Sequence, residues 1–183
     1  MFSENRVTQM AAYLLKKGEG RMAYIKLIKL LYLTEREAMA KWGESISGDN
    51  FVSMPHGPVL SQTYDLIKGH AESNPWNQFI KDEANYEVSL VHDFEVSDLD
   101  ELSLAEIKIL DKTFEKFGHL SRFEIRDYTH DHCSEWEDPN GSSFPIKPES
   151  IFRAMGKNEQ QIQKLSQKHR EQIQLDCLKA QLL

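Results

Sequence analysis

The stretch F-V-S-M-P-H-G-P-V-L-S-Q-T-Y-D-L-I, Phe51 to Ile67, decides the fold class. Phe51, Val52 and Met54 suit an extended, half-buried segment. Pro55 keeps Met54 out of the α region, so the extended segment stops or turns there. Gly57 can cap a helix without a side chain, and Pro58 fits a first helical position, where no N–H partner is needed. Val59 or Leu60, Thr63 or Tyr64, and Ile67 then recur at helical spacing, with Gly69 where a stop belongs. The stretch reads as a strand end, a rigid structural corner from Met54 to Val59 around His56, and a helix.

Upstream, Ser3 can cap a first helix with Val7, Met10, Ala11 and Leu14 as its apolar stripe, ended by Gly18 and Gly20. A second helix is expected from about Met22 to Lys41. Its first half, A-Y-I-K-L-I-K-L-L-Y-L, is polar only at Lys26 and Lys29. A helix apolar nearly all round belongs in the middle of a bundle. Its second half, T-E-R-E-A-M-A-K-W, regains an exposed face before Gly43. Gly48-Asp49-Asn50, between Ile46 and Phe51, reads as a short hairpin turn.

Downstream, E-S-N-P-W is a loop. A hairpin follows, with Phe79 and Ile80, a polar turn at Asp82 to Asn85, then Tyr86, Val88 and Leu90 in alternation. Ser103 with Glu106, and Ser121 with Glu124, have capping-box spacing. The first box opens a helix with a stripe of Leu104, Ile107, Leu110, Phe114 and Phe117, closed by Gly118. The second opens a short helix through Phe123, Ile125 and Tyr128. T-H-D-H-C-S-E-W-E and D-P-N-G-S-S-F-P read as loop, and Pro148 opens one or two turns ended by Gly156. Residues 157–183 contain no proline or glycine, and Ile162, Leu165, His169, Ile173 and Cys177 fall at helical spacing. The chain is therefore mainly α: a helical bundle (1–156) with one or two small β-hairpins, plus a C-terminal amphipathic helix (157–183).

No run approaches the ~18 apolar residues of a membrane span, and no export signal is visible, so Cys133 and Cys177 are expected reduced in a cytoplasm. The net charge of −7 argues against general nucleic-acid binding, and no helix-turn-helix pattern is present. Its distribution is uneven: +4 over residues 1–41, −13 over 42–156 and +2 over 157–183. The basic tail can be held against its own acidic domain as a last core element or offered to a partner. Its stripe of Ile162, Leu165, His169, Ile173 and Cys177 suits helix-in-groove recognition.

Chemistry-bearing residues do not assemble into a recognised motif. His130, His132 and Cys133 supply too few ligands in one place for a closed metal site, so no metal or other cofactor is expected. Cys133 with a histidine is a candidate nucleophile pair, and His56 a candidate base. The alternative for His56 is a ring bonded to backbone at the corner. For the other histidines it is a polar loop paired with Asp127, Asp131 and Glu135. Lys26 and Lys29 read as a solvated strip.

Two blocks in order, K-L-I-K-L-L-Y-L-T-E-R-E (Lys26 to Glu37) and G-D-N-F-V-S-M-P-H-G-P-V-L-S-Q-T-Y-D-L-I (Gly48 to Ile67), followed by Glu135-Trp136, resemble the Panacea domain, the SocA-like antitoxin family. The resemblance covers roughly residues 5 to 155 and leaves out the tail. It implies a mostly helical domain and a role in a bacterial or phage toxin–antitoxin pair, as an antitoxin that binds and neutralises a cognate protein toxin. It also implies the alternative of an adaptor that delivers the toxin to a protease. A small enzyme using His56 with His130 or Cys133 is the reading of a different class. The expected partner is the toxin, with a homo-oligomer possible.

Overall fold

The helix α2, Tyr24–Trp42, runs through the centre of the computed structural model, which describes residues 1–70 and 74–181. From Leu27 to Glu35 every residue of α2 is buried. The absence of a polar face leaves this helix no stable place except one surrounded by others. It packs against α1 (Glu4–Lys17), α5 (Leu104–Phe117), α6 (Arg122–His132) and α7 (Pro148–Ala154). Among the described residues there are eight α-helices and two small three-stranded antiparallel sheets.

The helix starts follow their caps. The Ser3 hydroxyl accepts from the Arg6 amide, and both expected capping boxes close, Ser103 with Glu106 and Ser121 with Glu124. α2 has no side-chain cap and begins two residues later than expected, because Met22 lies in β1 (Arg21–Ala23). β1 pairs with β5 (Glu87–Leu90), which pairs with β4 (Ile80–Glu83) in the register Ile80↔Leu90 to Glu83↔Glu87. The expected second hairpin is thus present, and β1 adds a strand that three residues of sequence did not announce. The expected loop E-S-N-P-W is partly helical: Asn74 to Phe79 form α4, with Trp76 buried, while Glu72 and Ser73 lie outside the described residues.

The opening stretch departs from its sequence reading. Met54 pairs with Gly57, so Pro55 and His56 are a two-residue hairpin loop between β2 (Phe51–Met54) and β3 (Gly57–Leu60). The helix α3 begins only at Ser61. Gly57 has φ +94, which leaves a tight turn rather than a helix start. Pro58 is tolerated in β3 because that strand is the sheet's edge, where no ladder N–H is required of it. On the other side β2 pairs with β6 (Phe144–Pro145), a bridge formed by the expected loop.

The expected turn at Gly48-Asp49-Asn50 is not a hairpin either. Ile46 to Asn50 form a loop whose Asp49 carboxyl, 6% exposed, accepts from the amides of Gln62 (3.0 Å) and Thr63 (2.7 Å). Asp49 therefore caps α3 from twelve residues before it, where Leu60 at the cap position has no side chain to do so.

α6 continues through His132, absorbing residues expected in a loop. After α7 and Gly156, Asn158 forms a capping box with Gln161 and opens α8, Glu159–Ala180.

Candidate functional site

Helix α2 holds a buried polar frame. Lys29 is 1% exposed, and its ammonium group donates to the Pro58 carbonyl at 2.8 Å. This overturns the reading of Lys26 and Lys29 as a solvated strip. Lys26 is half-buried and donates to the Gly118 carbonyl at the end of α5. Burial pulls the Lys29 pKa down to about 7, and the nearby Arg126 guanidinium pulls the same way. A Cβ on Gly57 would lie 3.0 Å from Lys29 Nζ and 3.2 Å from Thr129 Oγ1. The absent side chain at Gly57 is what lets the hairpin close over the lysine.

One turn further along α2, Tyr32 donates to Glu135 Oε1 at 2.7 Å. Arg36 donates to both Glu135 oxygens, a bidentate pair with the carboxyl fully buried. Burial and the neighbouring Glu135 push the Tyr32 phenol well above its usual range. Next to this pair, Trp136 Nε1 donates to the Met54 carbonyl at 2.9 Å, tying the 133–137 segment to the β2–β3 hairpin. Glu35, on the other side of α2, is fully buried and accepts from the amides of Ile46 and Ser47 and from the Ser47 hydroxyl. Burial pushes its pKa up to about 7 against those hydrogen bonds. The second half of α2 regains an exposed face, as expected, at Glu37 and Lys41, while Glu35 and Arg36 are held by these buried contacts.

The candidate catalytic residues are not brought together as a set. His56 is exposed at the hairpin tip rather than bonded to backbone, and it shares a shallow pocket of about 240 Å³ with Arg126, Asp127 and His130. His130 faces Asp131 at 3.3 Å and packs on Trp136, while His132 stacks on Tyr128. Cys133 is 1% exposed, and burial with the Glu135 carboxyl pushes its thiol up to about 12. A thiol so placed is protonated at neutral pH, which removes it as a nucleophile. No group of three or more His, Cys, Asp or Glu among the described residues is placed to hold a metal ion.

The tail helix changes character along its length. Ile162 is buried in the main core, and Leu165 packs where α2 ends: a Cβ on Gly43, φ +77, would meet Leu165 O at 3.1 Å. The half-buried His169 ring bonds the Gly43 backbone, and its burial lowers its pKa. Lys168 bonds Glu44 at 3.2 Å. Beyond His169 the helix lies over a cleft of about 670 Å³, lined among others by Phe2, Trp42, Ile46, His169, Ile173 and Cys177, and the Met1 ammonium group donates to Asp176 Oδ2 at 2.6 Å across it. Three apolar side chains at this end are exposed: Ile173 at 47%, Leu175 at 51% and Leu178 at 57%. Of the five tail residues picked out in the sequence, Ile162 and Leu165 hold α8 to its own domain, while His169, Ile173 and Cys177 face the cleft. Leu175 and Leu178 lay beside that stripe in the sequence, and their exposure only the docking of α8 reveals.

A family model described as antitoxin SocA-like, Panacea domain, matches residues 27–137, more than half of the chain. The chain belongs to this family. The matched span is narrower than the 5–155 suggested by the quoted blocks. It begins two residues before Lys29 and ends one residue after Trp136, so it encloses the whole buried frame and leaves out α8. No curated protein and no solved structure matches the chain. The matched span contains the frame built on α2, and the cleft lies beside the distal part of α8.

Proposed function

We propose that this Panacea-family chain is an antitoxin that neutralises a cognate protein toxin by direct, non-enzymatic binding. On this reading residues 1–156 form a scaffold and the distal part of the 157–183 segment is the contact element. The observation that supports it is the end of α8, where Leu175 and Leu178 stand about half exposed on the helix side away from the cleft of about 670 Å³, and the half-exposed Ile173 lines that cleft. Leu175 and Leu178, three residues apart, share one exposed apolar face, and exposed apolar side chains grouped on one face mark a surface that something covers. A helix presenting such a face docks in a partner's groove by its apolar anchors, with affinity set by the few side chains that become fully desolvated. Because Ile162 and Leu165 are already engaged, the new burial on that face is about half of two large side chains, roughly 2 kcal/mol before ordering costs. The cleft beneath the helix supplies further surface, with His169 and Cys177 on its wall.

The test is co-expression with the product of the neighbouring reading frame. A chain ending at Arg170 keeps Ile162, Leu165 and His169 on the domain and gives up the Met1–Asp176 ion pair. Cells carrying the toxic neighbour are expected to grow with the full chain and to stop growing with this truncation. A neighbour that is harmless, or whose toxicity the full chain does not relieve, refutes the reading.

A further inference from the structure

We propose that the outer face of the distal part of α8 is a docking surface for a second copy of this chain, which lies on it as an antiparallel helix related by a two-fold axis. The face is the one the antitoxin reading gives to the toxin, but the inference rests on the residues of the helix alone and holds whether or not that reading does.

The face is defined by helical geometry. Glu171, Leu175, Leu178 and Lys179 are all exposed residues of α8. At about 100° per residue they fall within roughly a third of the helix circumference. Along the axis the two leucines sit in the middle, with the acid one turn before Leu175 and the base one turn after it. Ile173, Asp176 and Cys177 point the other way and line the cleft. The rest of the domain therefore lies behind the helix, and a second helix reaches the leucines without meeting it.

The order acid, leucine, leucine, base is complementary to itself only when the second helix runs in the opposite direction. A two-fold axis between Leu175 and Leu178 sets each Leu175 on Leu178 of the second copy. It also brings each Glu171 within one turn of Lys179 of the second copy, in reach of both long side chains. One surface thus makes the same contact twice, as a two-fold dimer requires. A parallel pair would instead set Glu171 on Glu171 and Lys179 on Lys179, which repels.

The two charges are available for this role. Lys168 and Arg170 pair with Glu44 and Glu149 of the domain, whereas Glu171 and Lys179 form no ion pair among the described residues. Gln167 Nε2 donates to Glu171 Oε1 at 2.8 Å, which orients the carboxyl and leaves its second oxygen open. Asp176, the acid nearest Lys179 along the helix, is already bonded to the Met1 ammonium group and to Gln172. A contact of two or three helix turns from each copy is smaller than the roughly 1,200 Å² of a stable complex, so the pairing is weak and reversible. It covers the leucines at high concentration and yields them to a tighter partner, so a second copy and a toxin on this face exclude each other.

Sedimentation equilibrium of the full chain reads the pairing, with a thiol reductant present because Cys177 is exposed. A reversible dimer is expected, half formed at about 0.1–1 mM and weakened by added salt. Leu175→Ser together with Leu178→Ser should weaken it by about tenfold or more. Glu171→Lys and Lys179→Glu each set like charges together, and each should weaken it about fivefold. An equimolar mixture of these two single variants regains both opposite-charge contacts, so it should pair about as tightly as wild type and more tightly than either variant alone. Melting temperatures of all variants should stay within a few degrees of wild type, because the replaced side chains are exposed. The measurement contains no toxin, so its outcome is separate from that of the co-expression test. A chain that stays monomeric at about 1 mM leaves the face to another partner and overturns the proposal. A dimer that survives the two serines, or a mixture that pairs no better than the single variants, overturns it as well.

Discussion

Lys29→Met should change the sign of its effect on stability between neutral and alkaline pH. The wild-type amine is buried and has a folded pKa of about 7 against an ordinary 10.5. Between those values the unfolded chain holds a proton that the folded chain gives up, so stability rises with pH. The lysine's favourable contribution is full above 10.5 and is lost as pH falls through 7. At pH 7 the burial of this group costs the fold about 4 kcal/mol relative to high pH. Methionine has nearly the same shape and removes that cost. It also leaves the Pro58 carbonyl without the 2.8 Å bond from Lys29 Nζ. An unpaired buried acceptor costs about 1–3 kcal/mol. The balance is a variant more stable than wild type by about 1–3 kcal/mol at pH 7, or roughly 2–10 °C in melting temperature for a chain of this size. At pH 10 the protonation gain has nearly vanished, and the same variant should be the less stable by about 1 kcal/mol. Urea unfolding followed by circular dichroism at both pH values reads this directly. Destabilisation of equal size at pH 7 and pH 10 would refute the reasoning, since it would mean that Lys29 is charged and paired in the fold.

Glu135→Ala strands Arg36 and the Tyr32 hydroxyl in the interior and should cost about 3–5 kcal/mol, seen as a lower urea midpoint; replacing all three groups with apolar ones should recover most of it. Gly57→Ala forces a side chain into φ +94 against Lys29 Nζ and Thr129 Oγ1 and should lower stability by about 1–3 kcal/mol; an alanine variant as stable as wild type would show that the hairpin does not press on the lysine. Glu35 has a folded pKa of about 7 against 4.5, so its favourable contribution is full below 4.5 and is lost as pH rises through 7. Glu35→Gln should therefore flatten the pH dependence of stability between pH 4.5 and 7, by about 3 kcal/mol over that window.

The elements that rest on local chemistry were legible in the sequence. Ser3, the two capping boxes, the all-apolar run of α2 and the alternation through Val88 and Leu90 each act within a few residues. The Pro55-His56-Gly57-Pro58 corner was not, because the same residues open a helix or close a two-residue hairpin. The choice falls to pairing of β2 with Phe144 and Pro145 from far along the chain. Lys29 was misread for a related reason: its period on α2 matches a solvated strip, and only the hairpin and Thr129 packing over it make it buried. The Arg36–Glu135 pair joins residues 99 apart. The sequence offered only the Glu135-Trp136 dipeptide as a sign of it. In the tail the stripe was readable, but not which of its residues pack on the domain, which depends on Gly43 receiving Leu165.

The most direct test of the account is the affinity of the purified chain for the product of the neighbouring reading frame, measured by calorimetry for the full chain and for the form ending at Arg170. The account predicts that both melt cooperatively within a few degrees of each other, because Ile162, Leu165 and His169 are kept and only the exposed Met1–Asp176 ion pair is lost. It predicts that removal of the Leu175 and Leu178 face weakens binding by about 30-fold or more, the equivalent of roughly 2 kcal/mol. Equal affinity of the two folded forms would contradict it.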